Sequence, residues 1–200
     1  MKIYILRHEE RHDTPDFYTN LTQQGQKNSE NLKLILEKEN IDIIFSSPFP
    51  RVLQTIKPYC DMKNMNQQVN VDYALYETMY DPKYFTKENY KVELNETDNE
   101  FYLANPEYKS LITINDIKCL EQRSDVELRT SKLFNHICNK YENTEKNILI
   151  ASHACTLNTI INKSDAEAMY PQGSLTKIFD NSDKGHVIAS LIPLKPELNF

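Results

Sequence analysis

Glycine is scarce in this chain: among 200 residues only Gly25, Gly173 and Gly185 occur, far apart from one another. A glycine-rich phosphate cradle of the dinucleotide-binding or P-loop kind needs several clustered together, so both are excluded. Cysteine is scarce too. Cys60, Cys119, Cys138 and Cys155 form no C-x-x-C pair, which indicates neither a zinc site nor a disulfide framework and leaves buried, reduced thiols as the expected role. No apolar run approaches the roughly 18 residues of a membrane span, and the first, Lys2 to Leu6, is too short for a signal-peptide core. The expectation is a soluble, cytoplasmic protein without a membrane partner. Positive charge is in deficit as well: 23 Lys and Arg against 29 Asp and Glu give a net charge of -6. That argues against a nucleic-acid binder with a broad basic surface, but a pocket for a small anion needs only a few placed cations.

What is present is an ordinary globular composition, 40% hydrophobic and 26% charged, in a length that favours one domain. Only five of the basic residues are arginine, so each arginine merits a reason. Lys2 to Arg7 reads as a buried N-terminal strand, and Thr22 to about Asn40 as a helix capped by Thr22 with Leu32, Ile35 and Leu36 at helical spacing. Asp42 to Ser47 reads as a second strand. Pro48 and Pro50 then open a helix through Val52, Leu53, Ile56 and Tyr59. A third strand is expected at Val69 to Leu75, a helix from Ser124 to about Tyr141, a strand at Asn147 to Ser152 with a helix through Leu157 to Ile161, and two late strands at Ser174 to Phe179 and His186 to Ile192 joined by a turn at Asp180 to Gly185. Residues 76–123 have no clean period and read as a cap-like insertion with short helices over a site. Strands that are continuous apolar runs, alternating with helices, predict a three-layer α/β/α fold around a mostly parallel sheet, one domain over 1–200.

In such sheets the site forms where loops leave the carboxyl ends of strands. That rule selects Arg7 and His8, the segment Ser46 to Arg51, and Ser152 with His153. Two fork-shaped guanidiniums and two imidazoles around one crevice suit a phosphoryl group with three equatorial oxygens. Other residues admit blander readings. His12, four residues after His8, suggests a metal pair but lacks a third ligand and reads as a surface histidine. His136 and His186 read as structural. Arg11 either takes a second acidic group on the substrate or pairs with Asp13 or Asp16, and Tyr76 and Tyr80 are candidates for contacting the substrate beyond its phosphate.

The segments Ile5 to Glu10 (ILRHEE), Leu21 to Gly25 (LTQQG), Ser46 to Arg51 (SSPFPR) with Gln54 and Thr55, and Ser152 to Ala154 (SHA) resemble the histidine phosphatase superfamily, also called the phosphoglycerate mutase-like family. Fainter matches are Leu75 to Glu77, Glu121 to Arg129 and Gly173 to Thr176, in family order over nearly the whole chain. The resemblance implies phosphoryl transfer without metal or other cofactor. His8 would be the nucleophile that becomes a phosphohistidine; Arg7, Arg51 and His153 would neutralise the phosphoryl oxygens; Glu77 would be the acid serving the leaving oxygen. Thr14 stands where many members carry a phosphate-binding asparagine. Glu9 replaces the usual glycine after the first histidine, where its carboxylate could repel substrate or turn outward. Phosphomonoester hydrolysis is the leading expectation, with a small phosphorylated molecule or a phosphoprotein as substrate and the oligomeric state open to a dimer. A phosphoglycerate mutase and a silent member that binds a phospholigand or a protein are the alternatives.

Overall fold

A computed structural model describes residues 1–13, 16–80, 91–161, 171–180 and 185–190, and for the last of these segments the backbone alone. Six strands form one sheet in the order β3-β2-β4-β1-β5-β6: β1 Lys2–Arg7, β2 Ile43–Ser46, β3 Val69–Val71, β4 Asn147–Ser152, β5 Leu175–Asp180 and β6 Gly185–Ser190. β1, β2, β3 and β4 are mutually parallel, whereas β5 runs antiparallel to β1 and to β6. The helices are α1 Gln23–Lys38, α2 Pro50–Met62, α3 Arg123–Tyr141 and α4 Ala154–Ile160. α1 packs on α2 and α3 on α4. The chain moves one way across the sheet through β1, β2 and β3 and returns to β4, so right-handed crossovers put the first helix pair on one face and α3 on the other. Both faces of the central strands are therefore covered. Ile3 to Leu6 and Ile148 to Ala151 are all buried, which is why their sequences run apolar without alternation.

β3 is shorter than its apolar pattern suggests. Asp72, fully buried, accepts the Ala74 amide at 2.8 Å and starts a 3-10 turn at Tyr73–Leu75 in place of further strand. The other oxygen of Asp72 accepts the Tyr108 hydroxyl at 2.5 Å and the Leu111 amide at 3.0 Å. These bonds draw the irregular segment 92–121, with 3-10 turns at Phe101–Leu103 and Ile114–Asp116, along the outer edge of β3. There Ala104 bridges Val69 and the Asn105 amide donates to the Val69 carbonyl at 2.8 Å. Residues 76–80 run on from the 3-10 turn toward Ser152 and His153 at the carboxyl edge of the sheet. α4 begins at Ala154, directly after His153, and β5 and β6 are offset slightly from the sequence expectation; the turn between them (181–184) and positions 191–192 lie outside the described residues. Cys60 is buried as expected, but Cys119, Cys138 and Cys155 are only half-buried. Among the described residues no helix is long and apolar enough to cross a membrane.

The loop after β1 is locked onto the start of α1. Thr22 caps the helix by accepting the Gly25 amide at 3.0 Å, while its own amide donates to the Glu10 carbonyl at 2.9 Å and its hydroxyl to the Glu10 carboxylate at 2.7 Å. The approach is so close that a side-chain carbon at Gly25 would lie 2.1 Å from the Glu10 carbonyl oxygen. Gly25→Ala is therefore expected to lower stability by about 1–3 kcal/mol. Urea titration of the variant checks this, and an unchanged midpoint would show that the loop yields freely.

Candidate active site

β1 and β4 pair in register, Arg7 opposite Ser152, and the His8 amide donates to the Ser152 carbonyl at 3.1 Å. The next residue on each strand is a histidine, so the two rings meet edge to face with centroids 5.3 Å apart. β2 lies on the other side of β4, with Ser46 opposite Ala151, and delivers Ser47 and the start of α2 to the same edge. Helices leave β1 and β4 in opposite directions here, the place where α/β sheets open a crevice.

Each side chain at this edge has a defined job. His8 is buried, and its Nδ1 lies 2.7 Å from the Glu9 carbonyl oxygen. A carbonyl only accepts, so Nδ1 carries the proton and Nε2 keeps its lone pair. Burial holds the ring well below an ordinary histidine pKa, with the Arg51 charge and the penalty of protonating two rings so close together pushing the same way. His153 is buried with Nε2 2.9 Å from the Ser47 hydroxyl and Nδ1 3.0 Å from Glu77 Oε2, the latter at ion-pair distance but bent away from hydrogen-bond alignment. Burial pulls its pKa down to about 4 against the opposing pull of Glu77. Both rings are therefore neutral at neutral pH. Burial alone would raise Glu77, but His153, Arg51 and His8 around it outweigh that and leave it ionised well below the usual carboxylate range.

Arg51 is wholly buried. Its Nη1 donates to the Asp16 carbonyl at 2.7 Å, its Nη2 reaches Glu77 Oε2 at 3.4 Å, and its Nε has no partner. Burial brings it down to about 10 with Glu77 opposing, so it stays charged. Arg7, which immediately precedes His8 and stands opposite Ser152, is held down by burial, with the charge of Glu77 acting against that. A buried cation with a long contact to its one carboxylate partner and a bare N–H is a seat for an anion. Phe49 builds the wall: its ring lies under the Arg51 guanidinium at 4.4 Å and meets His153 edge-on at 4.8 Å and Tyr76 at 4.5 Å.

The geometry thus gathers Arg51, His8, Glu77 and His153, with Arg7 beside them. Thr14 lies outside the described residues. Tyr76 is 1% exposed and its hydroxyl donates to the Val92 carbonyl at 3.0 Å; it supports Phe49 from behind and has no surface for a substrate, a correction to the sequence expectation. Tyr80 is half-buried at the end of the described stretch. Arg11 pairs with neither aspartate carboxylate; its Nη1 donates to the carbonyls of His12 at 2.6 Å and Asp13 at 2.9 Å, and it lines an open pocket of about 460 Å³ with Glu10, Thr22 and Gln172. Glu9 turns away from the crevice. Its carboxylate accepts from Asn28 of α1 at 3.0 Å and occupies the space where a side chain at Gly173 would stand, 1.9 Å from the nearest oxygen. Gly173 also has φ +74, a conformation other residues resist.

A model of the histidine phosphatase superfamily (branch 1) matches residues 3–172. The chain belongs to that superfamily. No curated protein matches it in sequence. Solved structures that share the fold include an ecdysone phosphate phosphatase from Bombyx mori bound to tungstate (15% identity, TM-score 0.67, covering 100% of this chain and 95% of that one). A mycobacterial glucosyl-3-phosphoglycerate phosphatase with inorganic phosphate is similar at 16% identity and TM-score 0.62 over 96% and 95% of the two chains. So is a phosphoserine phosphatase from Entamoeba histolytica with 3-phosphoglyceric acid, at 18%, 0.61, 96% and 95%.

Sequence spacing offers no metal-ligand set, yet the superfamily fold brings one together: ligand-capable atoms of His8, Glu77 and His153 lie within 4.8 Å of one another. They come from the ends of three different strands or turns, which spacing along the chain cannot reveal. Arg51 touching Glu77, and Arg7 beside it, make the same space better suited to an anion than to a cation. Sequence reasoning also missed Ser47 and Phe49 as partners of His153, although both lie within the matched SSPFPR segment.

The histidines make stability depend on pH with a definite sign. His153 is lowered from the ordinary 6.5 to about 4, so on acidification the unfolded chain binds the proton first. Stability is full above pH 6.5 and is lost progressively as pH falls toward about 4, and His8 pulls the same way. Urea midpoints measured across that range are expected to fall in the wild type and to fall less in His153→Asn. Equal slopes would place the acid sensitivity elsewhere.

Proposed function

We propose that the protein is a phosphomonoesterase that works through a phosphohistidine on His8. The observation that carries this reading is His8 itself: buried, neutral, its Nδ1 proton committed to the Glu9 carbonyl, and its Nε2 bare beside His153 and the charge of Arg51. A substrate phosphoryl group takes seats at Arg7, Arg51 and His153, competing with Glu77 for the last two. Nε2 attacks phosphorus, the N–P bond forms, and the ester P–O bond breaks. The incoming dianion occupies Arg51 and His153 and sets negative charge against Glu77. That removes the causes that keep Glu77 ionised, so the carboxyl takes a proton from solvent, or from the monoester if it arrives protonated, and passes it to the leaving oxygen. Water then attacks phosphorus, the N–P bond breaks, Glu77 takes back a proton, and inorganic phosphate leaves. Charge stabilisation comes from guanidiniums already in place, so the reaction asks for no metal.

The relatives named above are phosphatases for an ecdysone phosphate, a glucosyl-3-phosphoglycerate and phosphoserine. Such different leaving groups support phosphomonoester hydrolysis as the shared reaction and leave the substrate of this chain to be identified by a panel of phosphosugars, nucleotides, phosphopeptides and inositol phosphates. Glu9, the residue that most favoured a silent member, turns toward Asn28 and out of the anion's way.

Rapid quench of the wild type with labelled substrate is expected to trap an acid-labile, base-stable phosphoenzyme, and His8→Ala is expected to abolish phosphate release because the acceptor atom itself is gone. Turnover undiminished in His8→Ala would overturn the mechanism. Activity is expected to survive exhaustive chelation; complete loss with EDTA and recovery with one divalent cation would show that a metal carries the reaction.

A further inference from the structure

Among the described residues no strand pairs in a ladder with the segment that carries Glu77. After the 3-10 turn at Tyr73–Leu75 the chain crosses the sheet edge, and four successive carbonyls are satisfied by buried side chains instead of a ladder. Ala74 and Tyr76 accept from Arg129 Nη1 at 2.7 and 3.0 Å, Leu75 accepts from Ser152 Oγ at 2.8 Å, and Glu77 accepts from Arg129 Nη2 at 3.3 Å. Thr156 adds a second bond to Tyr76 at 2.9 Å. Arg129 is in turn clamped by Glu121, with Nε to Oε1 at 2.8 Å and Nη2 to Oε2 at 2.9 Å, and that same Oε2 accepts the Met79 amide at 3.2 Å. Arg129 and Glu121 are 5% and 3% exposed.

Taking charges this far out of water costs several kcal/mol per ion, which good geometry and extra hydrogen bonds must offset. Here the extra bonds all go to one stretch of backbone, on both sides of Glu77. We propose that the Arg129–Glu121 pair is a positioning device for Glu77, holding the backbone of residues 74–79 so that the carboxylate faces His153 and Arg51. The inference rests on the acid role given to Glu77 above. Arg129 touches neither reacting group; it acts through the peptide that bears the acid. A planar guanidinium fork is required, because one lysine ammonium cannot reach three carbonyls and two carboxylate oxygens at once.

The test compares Arg129→Lys with Glu77→Gln on two substrates, an alkyl phosphate that needs a proton on its leaving oxygen and an activated aryl phosphate that does not. Arg129→Lys is expected to lower kcat on the alkyl ester about tenfold and on the aryl ester by less than about twofold. The double variant is expected to be no more biased than Glu77→Gln alone, since both act through one group. Independently of turnover, carbon NMR of the Glu77 carboxyl is expected to show its titration moving up toward the ordinary range in Arg129→Lys, where the charge is kept but the fork is lost. If Arg129→Lys does not fold, Arg129→Met with Glu121→Met removes the buried pair together and answers the same questions. Equal losses on both esters with an unmoved Glu77 titration would overturn the proposal. Loss of bias in Glu77→Gln itself would instead overturn the acid role, and the NMR readout would still decide whether Arg129 positions the carboxylate.

Discussion

The register between β1 and β4 is the constraint from which the site follows. Because Arg7 stands opposite Ser152, the two histidines that come next are neighbours without any loop having to fold back. A slip by one residue would turn each side chain to the opposite face and separate the rings. The register is specified in turn by two apolar runs, Ile3 to Leu6 and Ile148 to Ala151, which are buried on both faces and tolerate no displaced polar residue. Core packing and the placing of the two imidazoles are thus one requirement at this point of the fold.

Around that pair the protein accumulates buried polar groups, several of them tied to one another across elements. His8 leans on its own backbone at Glu9, whose amide is held by the Thr55 hydroxyl of α2 at 2.9 Å, which donates to the Arg51 carbonyl at 2.8 Å. Position 9 therefore links the His8 ring to the helix that bears the buried arginine. Its side chain, the departure from the usual glycine, adds a third tie through Asn28 to α1. The close fit with Gly173 makes positions 9 and 173 a matched pair: bulk at one is compatible with its absence at the other.

Much of this was legible in the sequence because the rules involved are local. Continuous apolar runs mark covered strands, Thr22 marks a helix start, and the carboxyl ends of the runs bring out Arg7, His8, Arg51 and His153. The sequence leaves Glu9 open to face the phosphate or to turn outward, and its partner Asn28 lies nineteen positions on, in α1. Other features have no local signature. Val69 to Leu75 continues an apolar pattern while Asp72 ends the strand by capping Ala74 and gathering Tyr108 and Leu111 from about forty positions away. Tyr76 reads as an available aromatic, but its ring is enclosed by Phe17, Phe49 and Tyr73. Arg129 lies in a helix whose amphipathic pattern says only that one face is buried. Besides Glu121 its partners are carbonyls, which every residue possesses and no sequence displays.

The strip of chain laid along β3 has a bearing on assembly. A sheet grows by adding a strand wherever donors and acceptors on its rim are unspent. At β3 the Val69 carbonyl is already taken by Asn105, and the Tyr73 amide just beyond the strand is taken by Ser110 at 2.9 Å. A second copy adding a strand to its sheet at β3 would have to displace this strip first.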